Sequence, residues 1–150
     1  MIMKIASLKK VFITASILIV TGHTGNALAH SGGAIIDPGS NNASATDLAA
    51  VTCGSGTHHL TARVRDNSGP ASGLLLSLHL YKGTQMTTIT DTVSGDANYS
   101  PYINLNGGAG VYYMSATKTN AGVRVFDVEW HCQSSDDQHT DTDLGVLQFQ

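Results

Sequence analysis

Three ionisable side chains recur at every second position near the end of the chain: Asp127, Glu129 and His131. In a β-strand, residues two apart point to the same side and lie about 7 Å from one another, so these side chains would share one face. Carboxylate and imidazole groups on a common face are suitable ligands for a metal ion. Alternating polar residues are also typical of a solvated sheet face, and the sequence leaves both interpretations open.

Two further histidines, His59 and His79, occupy outward positions of other strand-like segments. They can join the group formed by Asp127, Glu129 and His131 only if their strands lie beside the strand that carries it. The sequence does not establish which strands are neighbours. We therefore treat both histidines as additional candidate metal ligands.

Residues 1–29 have the features of a secretory signal peptide. Three lysines precede the apolar run 11–20, and Ala-Leu-Ala at 27–29 supplies the small-x-small cleavage pattern. The apolar run is too short to span a bilayer, so we expect no membrane insertion after cleavage. The mature chain is expected to begin at His30 and to be periplasmic or extracellular.

A mature amino terminus at His30 would offer an α-amine and an imidazole to the same metal ion. One further imidazole would complete a three-nitrogen site of the kind that suits Cu(II). In this respect the start His-Ser-Gly-Gly at 30–33 resembles the histidine brace of lytic polysaccharide monooxygenases and of copper-resistance C type periplasmic carriers. The resemblance implies copper binding through His30, and the candidates for the second imidazole are His58, His59, His79, His131 and His139.

The chain has two cysteines, Cys53 and Cys132, far apart in the sequence. In an exported protein an even number of cysteines most simply forms disulfides, and a thiolate metal site or redox pair normally has closer spacing. We expect one structural disulfide between them.

Short apolar segments alternate with turn-rich clusters and predict an all-β domain. No convincing helix follows the signal peptide. The predicted strands are 48–53, 58–65, 74–81, 86–93, 102–105, 111–118 and 123–132. About seven strands with one disulfide indicate a single Greek-key or jelly-roll-like β-sandwich over residues 47–134. Residues 30–46 are expected to form an N-terminal arm and residues 135–150 a polar tail.

Alternation also predicts which side chains face the core. In the last predicted strand Phe126, Val128, Trp130 and Cys132 form the apolar set. The polar complement of each strand would then lie outside, and several of its members are histidines.

Charge excludes several classes of partner. Loss of the signal peptide removes three lysines from the eight basic residues, which leaves five against eleven acidic residues and a net charge of −6. Such a chain is a poor partner for nucleic acid or an anionic lipid surface.

The segment 107–114 (Gly-Gly-Ala-Gly-Val-Tyr-Tyr-Met), followed after a turn by 123–128, resembles the closing hairpin of bacterial pre-peptidase C-terminal type domains. These are secreted β-sandwiches, usually appended to exported enzymes, and they act in binding or secretion. The resemblance implies a sandwich fold and a noncatalytic role.

No nucleophile, base and acid are arranged with the spacing of a known catalytic motif. We therefore expect an exported protein that is not an enzyme and that has a binding or structural role, with an unidentified protein or surface as its partner. The alternative is a periplasmic copper-binding protein that uses His30.

Overall fold

The computed structural model describes residues 30–150, and the predicted signal peptide lies outside the described residues. This part of the chain contains nine strands and no helix, so it has no helix that could span a membrane. The strands are β1 (His30–Ile36), β2 (Asp47–Cys53), β3 (His59–Asp66), β4 (Leu76–Lys82), β5 (Gln85–Thr90), β6 (Ile103–Leu105), β7 (Gly110–Lys118), β8 (Arg124–Gln133) and β9 (Thr142–Gln148).

The strands form two antiparallel sheets that enclose one core. A four-stranded sheet has the order β1-β8-β3-β6, and a five-stranded sheet has the order β5-β4-β7-β2-β9. The expectation of an all-β sandwich is confirmed. Strands far apart in the sequence are neighbours in space: β1 pairs with β8, and β2 pairs with β9.

Side-chain alternation builds the core as predicted. The apolar set of β8 is buried, and it packs in one cluster with the inward leucines of β4 and with Leu60 and Val64 of β3. Fully burying one leucine side chain contributes about 2 kcal/mol. The core thereby fixes which face of each strand points outward, and so where the polar residues lie.

The predicted disulfide is present and joins the two sheets. Cys53 ends β2 in the five-stranded sheet, and Cys132 lies on β8 in the four-stranded sheet. Their Cα atoms are 5.5 Å apart, and the bridge closes a sequence separation of 79 residues. Both cysteines are buried, so the covalent link runs through the core.

Two strands, β1 and β9, were not predicted, because they lie in the segments expected to be an arm and a tail. In β1, Gly33 allows close pairing with β8. A Cβ at Gly33 would lie 2.5 Å from Asp127 Oδ1 and 3.1 Å from the carbonyl oxygen of Phe126. A glycine that suggests a flexible arm thus lets an edge strand approach its neighbour.

The loop after β1 is anchored by a buried ion pair. Lys118 Nζ donates to Asp37 Oδ2 at 2.8 Å, and both side chains are almost wholly buried. The same oxygen accepts a hydrogen bond from the Gly122 amide at 2.8 Å. These two interactions hold the pKa of Asp37 well below its usual range. They fix the C-terminal end of β1, the strand that begins at His30.

We predict that a double Cys53→Ser, Cys132→Ser variant keeps its β-sheet circular dichroism but unfolds at a lower denaturant concentration. In the chain-entropy model, closing a loop of this length stabilises the fold by at most about 4 kcal/mol. Urea unfolding of the variant and of the parent protein measures the difference. An unchanged midpoint would show that the bridge does not stabilise the domain.

Candidate functional site: the histidine pocket

The outer face of the four-stranded sheet carries a continuous polar ladder. On β8, Gln133 extends the outward series of Asp127, Glu129 and His131 by one position. Each of these four residues lies opposite an outward residue of β3. The cross-strand pairs are Asp127 with Arg65, Glu129 with Arg63, His131 with Thr61, and Gln133 with His59. His59 lies on this face because β3 pairs with β8, which the sequence could not establish.

Both carboxylates of this ladder are neutralised by arginine. Arg65 donates from Nε at 2.9 Å and from Nη2 at 2.6 Å to Asp127 Oδ2. Arg63 donates from Nε at 3.1 Å and from Nη2 at 2.7 Å to Glu129 Oε2. The two predicted carboxylate ligands are therefore engaged in ion pairs.

Two tyrosines from the segment before β6 cover the arginines. The guanidinium carbon of Arg63 lies 4.3 Å from the ring centroid of Tyr99 and 4.3 Å from that of Tyr102. Arg65 also stacks on Tyr99, at 4.6 Å. Such cation–π contacts add to the ion pairs and hold both arginines in place. These contacts could not be predicted from the sequence, because the tyrosines precede a short strand and reach the face only through the loop.

Glu129 is the most constrained group on the face. Its Oε1 accepts hydrogen bonds from the Tyr102 hydroxyl and, at 3.1 Å, from His131 Nε2. Burial opposes ionisation, but the hydrogen bonds from Tyr102, Arg63 and His131 prevail and lower the pKa of Glu129 to about 2. Burial and the bond to this carboxylate raise the pKa of Tyr102 to about 12.

Beyond the ion pairs, the ladder ends in a polar pocket of about 380 Å³, which we call the histidine pocket. β3, β8, the β6 segment and the loop after β8 all contribute to its walls. The lining residues are His59, Thr61, Tyr102, Asn104, His131, Gln133, Asp137 and His139.

His131 and His139 lie together at one side of this pocket. Their ring centroids are 4.4 Å apart, with 35° between the ring planes. His139 is brought back over β8 by an antiparallel bridge to Gln133 and by the bond from the Thr140 amide to the Cys132 carbonyl, at 2.9 Å. Partial desolvation lowers the pKa of His139, and the neighbouring imidazoles of His131 and His30 lower it further.

His59 lies on the other side of the pocket and is held by its own contacts. Its Nε2 is 3.0 Å from Gln133 Oε1 and 3.7 Å from Asp137 Oδ1. Its Nδ1 is 3.2 Å from Nδ1 of His58. His59 is buried although it points outward, because the loop after β8 covers it.

The two remaining predicted ligands lie elsewhere. His79 is on β4, in the opposite sheet, where its ring nitrogens bond to Thr88 and Thr117, each at 2.8 Å. It cannot share a site with the histidine pocket. His30 is exposed at the start of β1, opposite Trp130 in the register, and its ring centroid lies 6.2 Å from that of the indole.

Within residues 30–150 no three His, Cys, Asp or Glu side chains are already arranged to hold a metal ion. The six predicted metal ligands thus divide into separate groups. His59 and His131 line one pocket, Asp127 and Glu129 pair with arginines, His30 lies at the sheet edge, and His79 is distant.

Comparison of the chain with family models, with curated proteins and with solved structures finds no match. The site is therefore interpreted from its own geometry.

We predict that the ion pair of Glu129 makes stability depend on pH in the acid range. The pKa of Glu129 is about 2 in the folded chain, against 4.5 for a free glutamate, so its contribution is complete above about pH 4.5 and is lost as the pH falls towards 2. At neutral pH it amounts to at most about 3 kcal/mol. Urea unfolding at pH 7, 4 and 3 should show a smaller decline for Glu129→Gln than for the parent. The exposed Asp143→Asn variant is the control, and a decline identical in all three proteins would contradict the assignment.

Proposed function

We propose that this chain is an exported, noncatalytic binding protein and that the histidine pocket is its ligand site. The observation that carries the proposal is the convergence of four chain segments on one concave polar surface. A ligand there would meet imidazole, amide, hydroxyl and phenol groups and the carboxylate of Asp137.

The chemistry of the pocket favours binding over catalysis. Glu129, the carboxylate nearest to the pocket histidines on β8, is bound by arginine, tyrosine and histidine and has no free oxygen to act as a base. In the described part of the chain, the pocket histidines bond to Glu129, Gln133 and His58 and to no hydroxyl group, and both cysteines form the disulfide. A serine- or cysteine-type nucleophile activated by histidine has no counterpart in these contacts.

We predict that ligands of the pocket perturb the amide NMR signals of Thr61, Asn104 and Gln133 without being turned over. A panel of sugars, amino acids, phosphate and divalent metal ions supplies the probes. Asn104→Trp should block the response by filling the pocket, whereas Gln85→Trp, on an exposed position of the other sheet, should not. Hydrolysis of peptide, ester or glycan substrates by the pure protein, absent from Asn104→Trp, would overturn the noncatalytic assignment.

A second candidate function, Cu(II) binding through a mature amino terminus at His30, has its own support. The register of β1 on β8 places residue 30 opposite Trp130, the residue between Glu129 and His131. An α-amine at this position would lie at the edge of the same sheet as the pocket histidines. The imidazole of His30 shares the side of Trp130, so it would have to turn around the sheet edge to meet the imidazole of His131 or His139.

We predict that, if Cu(II) binds through His30, one alanine added ahead of His30 weakens Cu(II) affinity by about tenfold or more, and by more than His139→Ala does. The physical reason is that the extension removes the chelate formed by the amine and imidazole of one residue. Mass spectrometry must first identify His30 as the first residue of the exported chain, and Cu(II) titration then compares the forms. Equal affinity with and without the extra alanine would exclude the terminal site.

The copper-loaded protein is expected not to cleave chitin or cellulose in the presence of a reductant. Oxidised oligosaccharides that disappear when His30 is blocked would instead make it an oxygenase.

A further inference from the structure

The ring of His131 is held in one orientation by a carboxylate. Glu129 Oε1 lies 3.1 Å from His131 Nε2, and its other oxygen is fixed by Arg63. An ionised carboxylate only accepts hydrogen bonds, so Nε2 must carry the proton. In the neutral imidazole the lone pair is then on Nδ1.

His131 Nδ1 is buried and has no hydrogen-bond partner among the described residues. A buried ring nitrogen normally has a hydrogen-bond partner. One without a partner can mark the place where an ion binds. The side chain is 6 % exposed and lines the histidine pocket. His131 therefore has a fixed ring nitrogen without a hydrogen-bond partner, on a side chain that lines the pocket.

A second imidazole packs against the His131 ring. The ring of His139 is centred 4.4 Å from that of His131, and within residues 30–150 it forms no side-chain hydrogen bond. His139 is exposed at the end of a short loop, so its ring can turn while its backbone remains tied to Gln133. One side chain is thus rigid and buried, and the other is adjustable.

We propose that His131 Nδ1 and His139 together bind a divalent first-row transition metal ion, with water at the remaining positions. Glu129, His131 and the ion would then form the carboxylate–histidine–metal arrangement, in which Glu129 Oε1 accepts a hydrogen bond from the far ring nitrogen and orients the ligand ring. This inference rests on the proposed function, because it names the class of ligand that the histidine pocket takes. It differs from the terminal copper site in needing no α-amine.

The donor set decides the class of ion. Imidazole nitrogen suits zinc, copper and nickel, whereas calcium and magnesium require oxygen ligands. The carboxylate closest to His131 is neutralised by Arg63 and cannot serve such hard ions. With two protein ligands and no third side chain already in place, the site is open and leaves room in the pocket for water or a second ligand.

The test uses Zn²⁺ as the probe and the mature chain with two alanines added ahead of His30, so that no terminal chelate can form. Isothermal titration gives the Zn²⁺ dissociation constant, and ¹⁵N NMR of the histidine rings locates the ion. We predict that His139→Ala weakens Zn²⁺ binding about tenfold or more, a loss of the size seen when metal-site groups are removed. His79→Ala, which removes a histidine from the opposite sheet, should leave the affinity unchanged.

The NMR signature separates a ligand from a merely structural residue. His131 should show the tautomer protonated at Nε2, and its Nδ1 signal should shift on addition of Zn²⁺ together with a ring signal of His139. His139→Gln serves as a second variant if the alanine variant does not fold. Unchanged affinity in these variants, ring shifts confined to His58 or His79, or no Zn²⁺ binding at millimolar concentration would each overturn the metal proposal.

Failure of this proposal is distinguishable from failure of the proposed function. If Zn²⁺ does not bind but a sugar, amino acid or phosphate perturbs Thr61 and Asn104, the pocket remains a ligand site and only the metal is excluded. If neither Zn²⁺ nor any member of the panel perturbs these residues, the pocket has no support as a binding site and both proposals fail.

Discussion

The alternation of side chains along β8 is the constraint on which the rest of this structure depends. Its inward residues supply the centre of the core and one half of the disulfide, and its outward residues supply the ladder and the pocket. A shift of one residue in register would bury the carboxylates and expose the tryptophan, so the energy of the core also enforces the polar face. Fold and candidate site are two sides of the same strand.

The faces of the strands could be predicted from the sequence because they follow from local periodicity. The inward positions of β3, β4 and β8 and the cysteine pair needed no knowledge of topology. The order of strands in a sheet does not follow from local periodicity. For that reason His59 and His79 were equally good candidate ligands in the sequence, whereas the structure places them in different sheets. Edge strands were missed for a related reason. β1 contains two glycines and few apolar residues, and its pairing partner β8 lies far away in the sequence, so local periodicity does not indicate it.

The ion pairs on the outer face also could not be predicted from the sequence. They change the interpretation of the Asp127, Glu129 and His131 group. Asp127, Glu129 and His131 were grouped as three possible ligands by spacing, but spacing says nothing about the residues opposite. Arg63 and Arg65 stand across from the two carboxylates and are kept there by tyrosine rings. Of the three residues that spacing grouped as ligands, the two carboxylates are therefore paired with arginines, and only His131 lines the pocket.

This neutralisation gives the remaining histidines their chemical character. Carboxylates in direct reach of the pocket would favour hard cations and proton transfer, but both oxygens of Glu129 are bound by arginine, tyrosine and His131 Nε2. The pocket lining otherwise consists of imidazole, amide and hydroxyl groups together with the exposed carboxylate of Asp137, which lies 3.7 Å from His59 Nε2. A ligand bound at the proposed site would meet mainly fixed dipoles and nitrogen lone pairs, and this is why we propose binding rather than turnover.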